Sequence, residues 1–184
     1  ESIAGVRDVD ADGYGDVLVG APGWDEGATT DAGKAALFLG GSTGLASTSS
    51  WSAAGSGSPL SFGRSVAGAG DVNRDGYADV VIGADAGSGA VYSYHGGPGG
   101  LPGAPPTTLP GDQPGSGFGG SVAGVGDVDG DGYGDVVVGA PLYDAGSIDE
   151  GRAYLFRGGS TGLVVTAWTT ESNQPTANLG RSVA

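Results

Sequence analysis

A nine-residue motif recurs three times along this chain, and every copy follows the pattern Asp-x-Asp/Asn-x-Asp-Gly-x-x-Asp. The leading aspartates are Asp8, Asp71 and Asp127, which lie 63 and 56 residues apart. The flanking residues recur too, since a stretch like Ser-Val-Ala-Gly precedes each motif and an apolar run follows it. This period predicts a series of similar supersecondary units that bury their apolar faces against one another.

Each unit contains four segments that we predict to be short strands. The first carries small residues, the second is an apolar run such as 135–139, and the third alternates as in 152–156. A Gly-Gly turn and a polar fourth strand follow, and we expect the fourth strand to end near Trp51, Leu109 or Trp168. An apolar run indicates burial on both faces of its strand. Four strands in a unit of about 60 residues predict an all-β fold of four-stranded antiparallel propeller blades, three in this chain, in preference to a sandwich.

The repeat also predicts where the blades lie along the chain. We assign three blades and the start of a further repeat to residues 1–61, 62–117, 118–178 and 179–184. Propellers close with about four to eight blades, and three blades leave two open edges that favour pairing. We therefore expect either a fragment of a longer propeller or a homodimer whose two copies complete a six-blade ring.

The composition fits this interpretation and excludes several others. In a chain without a period, 41 glycines and 10 prolines would suggest disorder, but in a repeat they are turn residues. The net charge of −14 disfavours binding to nucleic acid or to an anionic membrane surface. The sequence has no run of 18 apolar residues, so we predict no membrane insertion. The absence of cysteine excludes thiolate zinc sites and disulfides.

The motif supplies the ligands that calcium requires, which are six to eight oxygen atoms at roughly 2.3–2.6 Å. Side chains at positions 1, 3, 5 and 9 and the backbone carbonyl at position 7 provide oxygen atoms, and glycine at position 6 permits the tight turn. We therefore predict three calcium ions, one per repeat. The predicted ligands are Asp8, Asp10, Asp12, the carbonyl of Tyr14 and Asp16; Asp71, Asn73, Asp75, the carbonyl of Tyr77 and Asp79; and Asp127, Asp129, Asp131, the carbonyl of Tyr133 and Asp135.

Two other interpretations of the motif are less consistent with the sequence. Solvated acidic turns without a metal would not explain why the same spacing, the Gly-Tyr pair and the final aspartate recur in all three copies. An EF-hand requires glutamate at position 12 and flanking helices. Position 12 is Val19, Ile82 or Val138, each inside an apolar run, so the EF-hand is excluded.

Two further elements in each unit resemble the FG-GAP repeat family, which forms the β-propeller of integrin α-subunits and occurs in many bacterial secreted proteins. The elements are Phe62-Gly63, Phe118-Gly119 and the variant Leu179-Gly180, together with Gly20-Ala-Pro22, Gly139-Ala-Pro141 and the variant Gly83-Ala-Asp85. The resemblance implies a calcium-binding propeller with a role in adhesion or protein interaction, secreted or on the cell surface, in a bacterium. Family propellers usually have seven blades. Integrin-type ligand binding is not carried over, because nothing here matches an integrin's partner domains.

The sequence favours a non-catalytic protein over an enzyme. Residues 40–44 and 158–162 fit the hydrolase pattern Gly-x-Ser-x-Gly, but the only histidine, His95, lies in the unit that lacks this serine, so both segments are predicted turns. The alternative is a propeller that forms part of a secreted hydrolase or lyase. A cleft holding acidic residues outside the motifs would favour that alternative, and the candidates are Asp25, Glu26, Asp144, Asp149 and Glu150.

Trp24 and Tyr143 occupy matching loops after the Gly-Ala-Pro elements of the first and third units. Exposed aromatic residues on loops can bind a protein or a glycan, so these two residues are candidates for partner contact. The alternative is that both rings pack against the fold.

Overall fold

Three antiparallel sheets of four strands each make up the computed structural model, which describes residues 1–57, 60–105, 107–164 and 167–184. The strands are β1 (Ser2–Gly5), β2 (Val17–Ala21), β3 (Lys34–Phe38), β4 (Trp51–Ala54), β5 (Ser65–Gly70), β6 (Asp79–Ala84), β7 (Ala90–Tyr94), β8 (Thr107–Pro110), β9 (Ser121–Gly126), β10 (Asp135–Ala140), β11 (Arg152–Phe156) and β12 (Ala167–Glu171). None of these described residues is helical, and accordingly no helix capable of spanning a bilayer is found among them.

Within each sheet the strands lie side by side in chain order, as in a meander. The predicted apolar runs become β2, β6 and β10, each paired on both edges. In the third sheet, for example, Val138 lies opposite Val122 on one side and Tyr154 on the other. All six residues of β6 are buried. The prediction of an all-β fold with three four-stranded blades is therefore confirmed.

The first strands of successive sheets pack against one another, β1 against β5 and β5 against β9. Their backbones approach so closely that small residues are required there. A Cβ atom at Gly124 would lie 2.3 Å from the carbonyl oxygen of Gly68, and a Cβ atom at Gly68 would lie 3.1 Å from the Cα atom of Val6. This crowding explains the recurrent Ser-Val-Ala-Gly stretch, since larger side chains would force the sheets apart.

Two hydrophobic clusters fill the spaces between successive sheets. The Phe-Gly elements contribute one buried ring to each cluster. Phe62 contacts Tyr92 edge to face with ring centroids 5.2 Å apart, and Phe118 contacts Tyr154 in the same way at 5.0 Å. Because each phenylalanine lies between two sheets, it joins neighbouring units into one core.

The fourth strands differ from the prediction. Only in the second sheet does the strand end beside the expected residue, since β8 stops one residue after Leu109. β4 begins at Trp51 instead of ending there, and β12 continues three residues beyond Trp168. The reason is that the fourth strand pairs with the third from the third strand's first residue onward, so that Lys34 faces Ala54 and Arg152 faces Glu171. The blade boundaries at residues 61, 117 and 178 remain predictions.

Candidate calcium sites

Each motif forms the loop between the first and second strands of its sheet, at the same end of all three sheets. The aspartate at position 1 organises the loop from inside. Asp8 accepts N–H bonds from Asp12 (3.0 Å) and Gly13 (2.8 Å), one on each carboxylate oxygen. Asp71 and Asp127 accept the equivalent bonds in their own loops. The carboxylate thus holds the turn in shape before any ion is added.

Glycine at position 6 is required by the backbone. The φ angles of the three glycines are 94°, 94° and 92°, in the left-handed region that other residues rarely adopt. These glycines are Gly13, Gly76 and Gly132. This turn directs the N–H groups of the glycines at the position 1 carboxylate. An aspartate-rich loop without the turn would not place them there.

The aspartate at position 9 has a second role that the sequence did not reveal. Asp16, Asp79 and Asp135 are buried. One oxygen of Asp16 accepts the N–H of Val9 (2.8 Å), and the other accepts the N–H of Gly40 (2.8 Å), which lies in the turn after β3. Asp79 and Asp135 make the same pair of bonds, to Gly96 and Gly158 after β7 and β11. The sequence signal for this second role is the Gly-Gly pair that recurs after each third strand. The pair does not by itself show that its first N–H binds the position 9 aspartate.

Positions 1, 3 and 9 converge in the first and third loops. Carboxylate oxygens of Asp8, Asp10 and Asp16 lie within 4.8 Å of one another, and those of Asp127, Asp129 and Asp135 do the same. The aspartates at position 5, namely Asp12, Asp75 and Asp131, are exposed and accept the N–H of the tyrosine at position 7. They lie outside these two clusters, so their role as ligands, like that of the carbonyls of Tyr14, Tyr77 and Tyr133, remains a prediction.

The second loop has an amide in place of one carboxylate. The Oδ1 atom of Asn73 accepts the N–H of Asp75 at 3.0 Å, just as Oδ1 of Asp10 accepts the N–H of Asp12 at 3.3 Å. An amide oxygen is also a calcium ligand, so asparagine at this position reduces the negative charge of the site and still supplies an oxygen ligand.

In the first and second loops, burial and neighbouring carboxylates disfavour the ionised form of one aspartate. Burial, followed by the charge of Asp12, raises the pKa of Asp10. Burial, with smaller contributions from Asp75 and Asp71, raises the pKa of Asp79 to about 7, although N–H bonds from Gly96 and Val72 act in the opposite direction. A donor set of oxygen atoms alone, with several negative charges, suits a hard cation such as calcium.

Comparison with known proteins agrees with the motifs. A profile described as FG-GAP-like repeat matches residues 71–138, and one described as FG-GAP repeat matches residues 1–38. The chain belongs to the FG-GAP repeat family. It is similar to integrin alpha-5 of Xenopus laevis, with 34% identity over 168 residues, covering 85% of this chain and 16% of the relative. It is also similar to human integrin alpha-7, with 33% identity over 180 residues, covering 97% and 15%.

A third relative is integrin alpha pat-2 of Caenorhabditis briggsae, with 39% identity over 155 residues, 73% of this chain and 13% of the relative. The FG-GAP assignment predicted from the motifs is therefore confirmed. The chain spans at most 16% of the length of these three relatives. Their similarity to this chain thus concerns a small part of each relative.

The first two FG-GAP loops are also bonded to the sheet that follows. The carbonyl of Asp8 accepts the N–H of Ala78 (3.1 Å), and the carbonyl of Asp71 accepts the N–H of Gly134 (2.9 Å). One residue further, each of these two loops accepts one more bond of this kind, from the Gly-Gly turn after the third strand of the following sheet. Each loop therefore connects two strands of its own sheet and two neighbouring sheets.

Trp24 and Tyr143 both lie beside a cation at the start of the third strand of their FG-GAP unit. The Nζ atom of Lys34 is 4.6 Å from the centre of the exposed Trp24 ring, and the Trp24 Nε1–H donates to Glu26. The guanidinium of Arg152 is 3.6 Å from the centre of the Tyr143 ring, which also packs against the second hydrophobic cluster. Tyr143 is thus half-buried, and Trp24 is the more accessible of the two.

The acidic residues outside the FG-GAP motifs close loops. Asp25 accepts the N–H of Asp31 at 3.0 Å, and Asp144 accepts that of Asp149 at 2.6 Å. Glu150 is buried and accepts N–H bonds from residues 145–147; the bond from Gly146 contributes most to lowering its pKa. Among the described residues, groups of three close carboxylates occur only in the first and third motifs. The two Gly-x-Ser-x-Gly segments are turns, closed by Gly44 N–H to Gly41 and by Gly162 N–H to Gly159.

Proposed function

We propose that this chain is a calcium-stabilised propeller module for extracellular adhesion or protein interaction, and that it is not an enzyme. The observation that carries the proposal is the convergence of positions 1, 3 and 9 in the first and third loops. The second loop has the same spacing and the same hydrogen bonds to its position 1 aspartate, with asparagine at position 3. In this proposal each FG-GAP repeat holds one structural calcium ion. The similarity to integrin alpha chains supports an adhesion role at the cell surface or outside the cell.

Bound calcium would act on the scaffold by neutralising charge. The residues that would hold it are the aspartates and Asn73 at positions 1, 3, 5 and 9, with the carbonyl at position 7. Three ions would change the formal charge of −14 to −8. Since position 1 shapes the turn and position 9 joins it to the turn after the third strand, an ion between them fixes three segments of one blade. Sites of this kind suit millimolar extracellular calcium.

Counting the ions tests the calcium proposal. Equilibrium dialysis against millimolar calcium is expected to give three ions per chain. Asp127→Asn, which removes one carboxylate from the third loop, is expected to give two at a concentration that still saturates the others. A wild-type count of zero, or equal binding of magnesium and calcium at equal concentration, would contradict the proposal.

Two surfaces support assembly with another blade of the same type. Ile3 is 73% exposed, whereas its equivalents Val66 and Val122 are 7% and 8% exposed because the preceding sheet covers them. At the other side of the molecule Val128 is 57% exposed, whereas its equivalents Val9 and Val72 are fully buried by the following sheet. We propose that these faces are covered by a second copy of this chain, in a six-blade homodimer, or by further blades of a longer propeller.

Backbone groups on these two faces are complementary, since one face offers N–H donors and the other offers carbonyl acceptors. The N–H groups of Gly15 and Gly41 correspond to those of Ala78 and Gly97, which bind the preceding loop, and neither has an acceptor among the described residues. The carbonyls of residues 127 and 128 likewise accept no bond within that part of the chain. Sedimentation velocity at micromolar concentration tests the homodimer. A mass of two chains in calcium supports it, and a monomer at all concentrations contradicts it.

The exposed Trp24 supports a partner surface on the loop after β2. Its ring lies over Lys34 and presents its outer face to solvent. We propose that this loop contacts a protein or a glycan, with Tyr143 contributing less because it is packed. Binding to immobilised extracellular proteins and to a glycan array, compared between wild type and Trp24→Ser, tests this contact. Equal binding by both proteins would contradict it.

A further inference from the structure

The residue that follows each third strand occupies an equivalent place in the three sheets, and in the second and third sheets it contacts position 3 of the candidate calcium loop. These residues are Leu39, His95 and Arg157, each directly before a Gly-Gly pair. Building on the calcium function proposed above, we propose that this residue sets the calcium affinity of its loop, so that the first loop binds calcium more tightly than the third. The inference rests on the different chemistry of this residue at one equivalent place in the three sheets.

In the third sheet the contact is an ion pair. The Nη1 atom of Arg157 lies 3.1 Å from Oδ2 of Asp129, while Oδ1 of Asp129 accepts the N–H of Asp131. Asp129 is one of the three carboxylates that converge in this loop. A fixed positive charge therefore neighbours the place where the ion would lie.

In the first sheet the same place is apolar. Leu39 packs against the first hydrophobic cluster, and no cation pairs with Asp10 in the part of the chain that the structure describes. Asp10 belongs to the same kind of three-carboxylate cluster as Asp129. The first and third loops have the same four aspartates, so the residue after the third strand is a clear chemical difference between the two sites.

In the second sheet the contact is between neutral groups. The Nδ2 atom of Asn73 lies 3.1 Å from Nδ1 of His95 and donates to Asp75 at 2.8 Å. The amide is thereby oriented with Oδ1 toward the loop, where it accepts the N–H of Asp75. The contact changes with the residue at position 3: an arginine meets an aspartate and a histidine meets an asparagine.

Arg157 weakens calcium binding by two effects of the same sign. Its charge repels the incoming dication, and in the calcium-free loop it offsets the repulsion among the aspartates, which stabilises the empty state. Its side chain is 59% exposed, so solvent screens both effects and the change in affinity is moderate. We expect the third loop to bind calcium about three- to tenfold more weakly than it would without this charge.

A reciprocal exchange tests the inference. Arg157→Leu gives the third sheet the residue of the first, and Leu39→Arg does the reverse. The N–H groups of Gly13, Gly76 and Gly132 donate to the position 1 carboxylates, so their ¹H–¹⁵N resonances report each loop separately during a calcium titration. Arg64→Leu, which removes a charge paired with Asp85 away from the loops, is the control.

Arg157→Leu is expected to tighten binding at Gly132 about three- to tenfold and to lower the melting temperature in chelator. Leu39→Arg is expected to weaken binding at Gly13, and Arg64→Leu to leave all three unchanged. A merely structural Arg157 would lose affinity and stability together on substitution, so looser or unchanged binding at Gly132 would overturn the inference. If no glycine resonance of the wild-type protein responds to millimolar calcium, the proposed function fails, and this inference with it.

Discussion

The N–H of Gly97 donates to the carbonyl oxygen of Val9 across 3.0 Å, joining the turn after β7 to the first candidate calcium loop. Gly159 makes the equivalent bond to Val72 at 2.9 Å. The donor turn belongs to one sheet and the acceptor loop to the sheet before it. An ion that orders the loop therefore also orders the contact between two sheets, and the following predictions depend on that connection.

Removal of calcium is expected to lower the melting temperature strongly. At a hundredfold excess of ligand over its dissociation constant, each site stabilises the folded state by roughly 2.7 kcal/mol. In a domain of this size each kcal/mol shifts the melting temperature by roughly 2–4 °C, so three sites amount to about 15 °C or more. Differential scanning calorimetry in calcium and in excess chelator measures the difference. An unchanged melting temperature would show that the ions do not stabilise the fold.

The position 9 aspartate is expected to stabilise the protein even without calcium. Asp16→Ala removes the acceptor of two N–H groups, from Val9 and Gly40, and should cost about 2–4 kcal/mol of unfolding free energy in chelator. Asp10→Ala is the matched control. Its carboxylate accepts one long bond and is repelled by its neighbours, so its removal should change stability by less than about 0.5 kcal/mol.

Urea denaturation of both variants in chelator gives the comparison, and calcium titration should show the first site lost in each. Equal destabilisation of the two variants in chelator would mean that position 9 is a ligand alone and does not connect the loop to the turn after β3.

The close packing of the first strands predicts that two equivalent glycine substitutions differ in their effect on stability. Gly124→Ala places a Cβ atom 2.3 Å from a backbone oxygen and should destabilise the protein by about 3 kcal/mol, because backbone cannot yield as a side chain does. Gly5→Ala occupies the equivalent place in β1, where nothing lies within 4 Å, and should be neutral in a monomer. If Gly124→Ala were as stable as wild type in urea denaturation, the close approach of β5 and β9 would be wrong.

Hydrogen exchange is expected to distinguish equivalent amides according to whether a loop of a preceding sheet is present to accept their hydrogen bond. The bonded amides between sheets are those of Ala78, Gly97, Gly134 and Gly159. They should exchange slowly, and more slowly still in calcium, whereas the equivalent amides of Gly15 and Gly41 should exchange fast in a monomer. Protection of Gly15 and Gly41 that increases with protein concentration would support the homodimer. Uniformly fast exchange of all six would contradict the bonds between sheets.

One exposed isoleucine is expected to matter for assembly and another not. Ile3 lies on the open face of β1 and is 73% exposed, while Ile148 is 70% exposed on the loop before β11. Ile3→Asp should abolish any concentration-dependent dimer because it buries a charge in the contact, and Ile148→Asp should leave it intact. Sedimentation velocity measures both. Loss of the dimer in both variants would point to a different contact surface.

The sequence was sufficient to predict the first three strands of each sheet and the loop between the first two, because these elements depend on local chemistry. The spacing of aspartate and glycine encodes the turn at Gly13, and the apolar run from Val17 encodes a strand buried on both faces. Repetition then places each of them three times. The end of β4 was predicted wrongly because it depends on the length of its partner: Ala54 belongs to the strand since it faces Lys34.

Contacts between segments that lie far apart in the chain could not be predicted from the sequence. Asp16 and Gly40 are 24 residues apart, and nothing in either segment specifies the other as its partner. Arg157 gave no sign of lying beside Asp129, because that contact arises only when β11 and the loop before β10 are brought to the same end of the sheet. Tyr143 was predicted to be a possible contact residue, and its packing under Arg152 depends equally on tertiary structure.

The backbone bonds that enter the motif loops from a neighbouring sheet all run in one direction, from the amides of one sheet to the carbonyls of the loop before it. The first and third sheets therefore present unlike faces, and a contact between them is heterologous, repeating head to tail. Such a contact closes only when the rotation from one sheet to the next divides a full turn; otherwise the same bonds propagate a filament. The number of subunits in an assembly of this kind is a property of that rotation, and substitutions in the closely packed first strands that alter it would change ring size or open the ring.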